Sequence, residues 1–340
     1  MSAHVLRQTL TLLLAFTAVL AIATTSTWAE QPPGCPENGT AITSPQSANP
    51  QATVGAYYFD GWAGRSTRWQ DDAAWTKLNP PTHLTKRMIE EFPDREPVWG
   101  WRDDSLEIME RQIDLAADHG IAFFAFCWYW NKDPDKVAQD PKHTGLHLFL
   151  KAKNNHRLKF CFLVANHRGY LFEGADEWAK AAEGWLPYFK HAQHVTVDGK
   201  PLVIIFNPGN GDQDGFGRVQ TVARKAGLPD VAIAGCGSGD LKSGFTHRTH
   251  YNIVPGYAAT SESHKFAELV QAHQRAWRGS REQPYMPTLS VGWDKRPWEG
   301  ERGLGQKPGR EQVEGGRDDP CRCRNSAAHL FSSYGYGWWP

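Results

Sequence analysis

Two aspartates stand among aromatic residues directly after apolar runs. Val54-Gly-Ala-Tyr-Tyr58 leads into Phe59-Asp60-Gly-Trp62, and Thr288-Leu-Ser-Val291 leads into Gly292-Trp293-Asp294. Cleavage of a glycosidic bond needs a general acid and a second carboxylate across the scissile bond, so Asp60 and Asp294 are the candidate catalytic pair. Groups that bind polyols gather at equivalent positions. Ile121–Cys127 opens into Trp128-Tyr129-Trp130-Asn131, Leu158–Val164 into Ala165-Asn166-His167, and Leu202–Phe206 into Asn207. Tyr251 and Tyr257 flank a further run. Trp62, Trp128, Tyr129, Trp130, Tyr251, Tyr257 and Trp293 are candidates to contact sugar rings, while Asn131, Asn166, His167 and Asn207 are candidates to bind hydroxyls. The same residue types also serve structure. Asp60 or Asp294 can cap a loop or pair with Arg65 or Arg296, and about half of such tryptophans pack between a sheet and its helices.

Other chemistries lack support. His247-Arg-Thr-His250 places two histidines three apart on extended chain with no acidic residue beside them, so no metal is expected. Gly235-Cys-Gly-Ser-Gly239 has its serine out of register for a nucleophile elbow. No Gly-x-Gly-x-x-Gly follows the first apolar run, which removes the commonest dinucleotide reading, and no cofactor is expected.

The elements that must position these residues alternate. Near-continuous apolar runs bounded by turn residues read as strands buried on both faces: 54–58, 121–127, 158–164, 202–206, 231–235, 250–254 and 287–291. Asp104-Ser-Leu-Glu107 is a capping-box-like start, and Leu106, Met109, Ile113 and Ala116 form one apolar face that ends at His119-Gly120. Further helical patterns cover 146–153, 176–189, 217–226 and 266–277, and Asp198-Gly199 reads as a hairpin turn. The order predicts an α/β fold of the (β/α)8 barrel type whose eighth strand is missing. Residues 53–298 form the expected barrel, and 299–340, poor in aliphatics and rich in Gly, Arg, Glu and Asp, an irregular tail.

The N-terminus reads as targeting. Arg7, the apolar stretch Leu10–Ala23 and the site Thr27-Trp28-Ala29 predict a signal peptide over 1–29, followed by a Pro/Ser/Asn/Gly-rich linker over 30–52. A secreted or periplasmic chain with no membrane association after cleavage is expected. The 37 basic and 37 acidic residues balance, so no field favours nucleic acid. Cys127, Cys161 and Cys236 fall inside or at the end of predicted strands and read as buried thiols. The 15 tryptophans point to a ligand face as well as to packing.

Four segments carry a family resemblance: Gly55-Ala-Tyr-Tyr-Phe59, Trp99-Gly-Trp-Arg-Asp-Asp104, Gly120-Ile-Ala-Phe-Phe-Ala-Phe-Cys-Trp-Tyr-Trp130 and Gly292-Trp-Asp-Lys-Arg-Pro-Trp298. Together they resemble the glycoside hydrolase family 99-like group, which includes WbsX-type proteins of polysaccharide gene clusters. The resemblance spans Val54 to Gly305. It implies a (β/α)8 barrel, retaining endo-action on α-mannoside-type glycans, and an oligo- or polysaccharide partner. Two other roles stay open: a non-catalytic glycan-binding barrel, and glycosyl transfer in polysaccharide assembly. The family's C-terminal carboxylate segment has no counterpart here; Glu311-Gln-Val-Glu314 has the i, i+3 spacing without a preceding strand, so no catalytic glutamate is carried over.

Overall fold

The computed structural model describes residues 52–63, 81, 83–167, 169–208, 213–237, 244–253, 265–279 and 284–291. The expected signal peptide, the linker up to residue 51, Tyr257, Trp293, Asp294 and the tail lie outside them. Chain order is β1 (Val54–Tyr58), α1 (Lys86–Glu91), α2 (Leu106–Asp118), β2 (Ile121–Trp128), α3 (Pro134–Gln139), α4 (Thr144–Lys151), β3 (Lys159–Val164), α5 (Ala175–Phe189), β4 (Thr196–Val197), β5 (Lys200–Ile205), α6 (Gln213–Lys225), β6 (Ala232–Cys236), β7 (His247–Thr249) and α7 (Phe266–Gly279).

The main sheet is parallel, in the order β1-β2-β3-β5-β6-β7, with β4 folded back antiparallel on β5 through Asp198-Gly199. Each crossover returns to the next position, the winding of a β/α barrel. The sheet curls: the Tyr57 hydroxyl on β1 donates to the carbonyl of His250, just past β7, at 3.0 Å. Among the described residues no strand closes the gap between the two ends, so the architecture is a curled half-barrel with helices.

Two strand expectations need correction. The seventh strand in the sheet is formed by His247–Thr249, not 250–254. Its partner β6 ends at Cys236, before Gly237 turns away at φ 138°, so residues beyond 249 have no ladder on that side. Residues 287–291 are not a regular strand. One bridge joins Arg248 to Tyr285, and hydroxyls then replace the ladder: Thr249 Oγ1 donates to the Met286 carbonyl at 2.9 Å, and Ser290 Oγ accepts from Ile253 N–H at 3.0 Å. Pro284 and Pro287 lack the N–H donors that a ladder needs.

Alternation divides the sheet residues between two cores. Tyr58, Phe124, Phe126, Trp128, Phe160, Phe162 and Val164 face the helices, against Met109 and Ile113 of α2, Leu146 and Phe149 of α4, and Trp178 and Trp185 of α5. Phe124, Phe126, Phe160 and Phe162 are fully buried, each worth about 1.5–3 kcal/mol of transfer free energy. The intervening residues, Ala125, Cys127, Cys161, Leu163, Ala232, Ala234 and Cys236, line the inner face. Ser105 starts α2 by accepting from Ile108 N–H at 3.3 Å, and Gly120, at φ 83°, lets the chain leave the helix directly into β2.

Candidate functional site

Active sites of parallel barrels lie at the C-terminal ends of the strands. Here that rim carries an arc of rings on the inner face. Tyr57 contacts Tyr251 (5.4 Å between centroids), Tyr251 contacts Phe206 (4.8 Å), and Phe206 contacts His167 (6.1 Å). The arc continues through Tyr170 (5.2 Å from His167) to Tyr129 (4.7 Å from Tyr170). Lys142 lies over both tyrosines, 5.4 Å from the Tyr129 ring and 5.2 Å from that of Tyr170, and pairs with Asp140 at 2.9 Å. Burial works against its charge, but the bond to Asp140 leads the effects that raise its pKa above the ordinary lysine value.

The Tyr129 backbone is held from behind. Its N–H donates to Nε2 of His143 at 2.9 Å, and Nδ1 of His143 meets the Val137 carbonyl at 2.7 Å. With the carbonyl requiring the proton on Nδ1, Nε2 is the acceptor and the ring is neutral. Burial agrees, lowering the His143 pKa to about 4.

At the tip of β1 two carboxylates are buried together. Asp60 is fully enclosed; one oxygen accepts from Gly145 N–H in the first turn of α4, and the other has no hydrogen-bond partner among the described residues. Asp103, in the loop before α2, accepts from Trp62 N–H at 2.9 Å and likewise has one oxygen without a hydrogen-bond partner among the described residues. Burial first, and then the neighbouring Asp103, push the Asp60 pKa well above the carboxylate range; burial pushes Asp103 up to about 7. His83 stands edge-on to Phe59 at 4.8 Å, with its pKa lowered by burial to about 4.

The structure thus brings Tyr129, His167 and Tyr251 together on the inner rim, with Asn207 half-buried at the end of β5. Other candidates go elsewhere. Trp128 and Trp130 face the helices: Trp128 stacks on His143 at 5.7 Å and abuts Trp185, and Trp130 stacks on Phe172 at 5.3 Å and donates to Glu177. Both are packing residues, because alternation sends Tyr129 to one face and its neighbours to the other. Trp62 is enclosed, edge-on to Trp101 at 4.7 Å, and offers no open face. Asn131 is exposed and accepts from Asp133 N–H at 3.1 Å, an Asx turn. Asn166 is buried and ties the tip of β3 to the Asn207 carbonyl at 3.0 Å. Asp60 accepts from Gly145 N–H in the first turn of α4, a contact distant in sequence and different from a cap on its own loop.

Sequence reading missed Asp103, Tyr57, Tyr170, Phe206 and Lys142. Asp103 lies in a loop, not at a strand tip. Its signal was the Trp-rich Trp99–Asp104 segment, where an aspartate stands among aromatics as at Asp60. Among the described residues no group of three or more His, Cys, Asp or Glu is arranged to hold a metal ion, and no helix is long and apolar enough to cross a membrane.

The profile of the family described as "Glycosyltransferase WbsX" matches residues 101–307, more than half of the chain. No curated protein matches it. Among solved structures, one described as a glycoside hydrolase-like protein is similar at 16% identity and a TM-score of 0.51, covering 76% of this chain and 76% of its own. That likeness shows the fold. Two structures of the GH99 endo-α-mannosidase of Bacteroides thetaiotaomicron, one with BIS-TRIS propane bound, are 13% identical with TM-scores of 0.48. They cover 74% of this chain and 76% and 74% of their own.

Proposed function

This chain belongs to the WbsX glycosyltransferase family, and from that premise we propose that it is a carbohydrate-active half-barrel that binds an oligo- or polysaccharide on its inner rim. The reaction in this reading is hydrolysis of glycosidic bonds, with α-mannoside-type glycans as the substrate class that the sequence motifs imply. The observation that carries it is the ring arc from Tyr57 through Tyr251, Phe206, His167 and Tyr170 to Tyr129 at the C-terminal strand ends. Aromatic faces and hydroxyl or imidazole groups in one concave row suit sugar rings, which present apolar faces and polar edges. Asp103 joins Asp60 and Asp294 as a candidate acid, since its carboxyl keeps a proton up to about pH 7. We further propose that the chain is exported, on the strength of Arg7, the Leu10–Ala23 stretch and the Ala29 site.

The test is incubation of the purified chain with α-linked manno-oligosaccharides, following new reducing ends and, separately, binding by intrinsic fluorescence. New ends that vanish in Asp103→Asn support hydrolysis. Saturable binding without product moves the protein to the glycan-binding reading. Product that forms only with an added sugar nucleotide moves it to glycosyl transfer, the activity that the family's description names. N-terminal sequencing of the chain expressed in an exporting host tests the last proposal; an intact Met1 would overturn it.

A further inference from the structure

On the helix-facing side of the sheet, α3, α4 and α5 leave a cleft of about 160 Å³. Its floor is built from Trp128, Trp130 and Leu146, and its mouth carries His147, Lys180 and Tyr188. We propose that this cleft binds a small monocyclic aromatic carboxylate.

Size and shape come first. An engineered apolar cavity of about 150 Å³ accommodates benzene, so one six-membered ring fits here and a disaccharide does not. The floor offers edges, not faces. Trp128 is stacked between His143 and Trp130, and Trp130 between Trp128 and Phe172, at plane angles of 10–25°. A flat apolar ring can slide in beside these edges, whereas a pyranose seeks an open aromatic face.

The mouth supplies the polarity. Among the described residues, the side chains of His147, Lys180 and Tyr188 make no hydrogen bond or ion pair within the chain, although His147 and Tyr188 are half-buried. Half-buried His147 and Tyr188 without internal partners beside an apolar floor form the pattern of a ligand pocket, and the exposed ammonium of Lys180 that also lines it favours an anion. Gly184 lines the same cleft from the exposed side of α5, where a Cβ would meet open space, so a larger side chain there has room to enter the cleft.

The cleft also reaches the rim. His143 lines it, and the Nε2 of the same ring receives the Tyr129 N–H, so an occupant presses on the residue that sets the Tyr129 backbone.

Benzoate is the probe, titrated into the full chain by calorimetry and by amide chemical shifts, with benzyl alcohol as its neutral counterpart. One saturable benzoate site is expected. Binding should weaken about fivefold for benzyl alcohol, and about fivefold for benzoate in Lys180→Met, the order of one exposed ion pair. Gly184→Leu should abolish binding with the melting curve retained, and Ala138→Leu fills the cleft from the α3 side if that variant does not fold. No saturable benzoate binding, or binding unaltered in Lys180→Met and in the filled variant, overturns the proposal. None of these readouts depends on glycan activity.

Discussion

The hydroxyl of Tyr57 on β1 reaches the carbonyl of His250 beyond β7, 3.0 Å away and 193 residues along the chain. This bond joins the two ends of a sheet whose ladder does not close among the described residues. Thr288 Oγ1 donates to the same carbonyl, so Tyr57→Phe leaves that acceptor satisfied. The loss should be about 1 kcal/mol, that of one net hydrogen bond. Tyr57→Ala also removes the ring packed on Tyr251 and should cost roughly 3 kcal/mol or more. Urea unfolding of both variants checks the difference; equal midpoints would show that the ring, not the hydroxyl, is idle.

Asp103 makes stability depend on pH in an unusual direction. Its folded pKa, about 7, lies above the ordinary carboxylate value of 3.8, so the folded chain holds a proton that the unfolded chain releases. The stabilisation linked to that proton is complete below pH 3.8 and is lost as pH rises through about 7. The melting temperature of the wild type relative to Asp103→Asn should therefore fall between pH 5 and pH 7.5 and then level off. A difference that rises with pH over this window would overturn the assignment.

Three buried histidines oppose that trend at low pH. Burial lowers His83, His143 and His194 to about 4 from 6.5, so the unfolded chain takes up protons that the folded chain refuses. Here the folded state loses stability as pH falls from 6.5 towards 4. Replacing His143 with Phe abolishes one such site but leaves the Tyr129 N–H without its acceptor, at a cost of about 1–3 kcal/mol at pH 7. Urea midpoints at pH 7 and pH 4.5 should show a large loss for His143→Phe at the higher pH and a smaller gap at the lower.

Adjacent residues at the end of β2 should behave oppositely. Trp128→Ala opens the helix-facing core and should cost about 3–5 kcal/mol while acting on glycan binding only through unfolding. Tyr129→Phe and His167→Ala should keep stability within about 1 kcal/mol and weaken glycan binding. Thermal melts paired with fluorescence titrations separate the two. Binding lost in Trp128→Ala below its melting point, with Tyr129→Phe unaffected, would reverse the assignment of faces.

Much of the fold was legible because its signals are local. Apolar runs such as Ile121–Cys127 must be buried strands, the Ser105 cap and Gly120 bound α2 within a residue or two, and helices recurring between most of the strands leave a parallel sheet as the packing solution. The family resemblance was legible for the same reason, being carried by contiguous segments. Which face each rim residue occupies was not. A strand buried on both sides reads the same from either face, so Trp128, Tyr129 and Trp130 looked equivalent until the helices covered two of them and left the third inside. Asp103 and Lys142 were invisible for a related reason: each belongs to a loop and meets the site only across contacts far apart in sequence, at Trp62 for one and Tyr170 for the other. Sequence by itself determined the elements and their order; the curl that sets Tyr57 against His250, and with it the inside of the site, exists only once tertiary packing brings the ends of the sheet together.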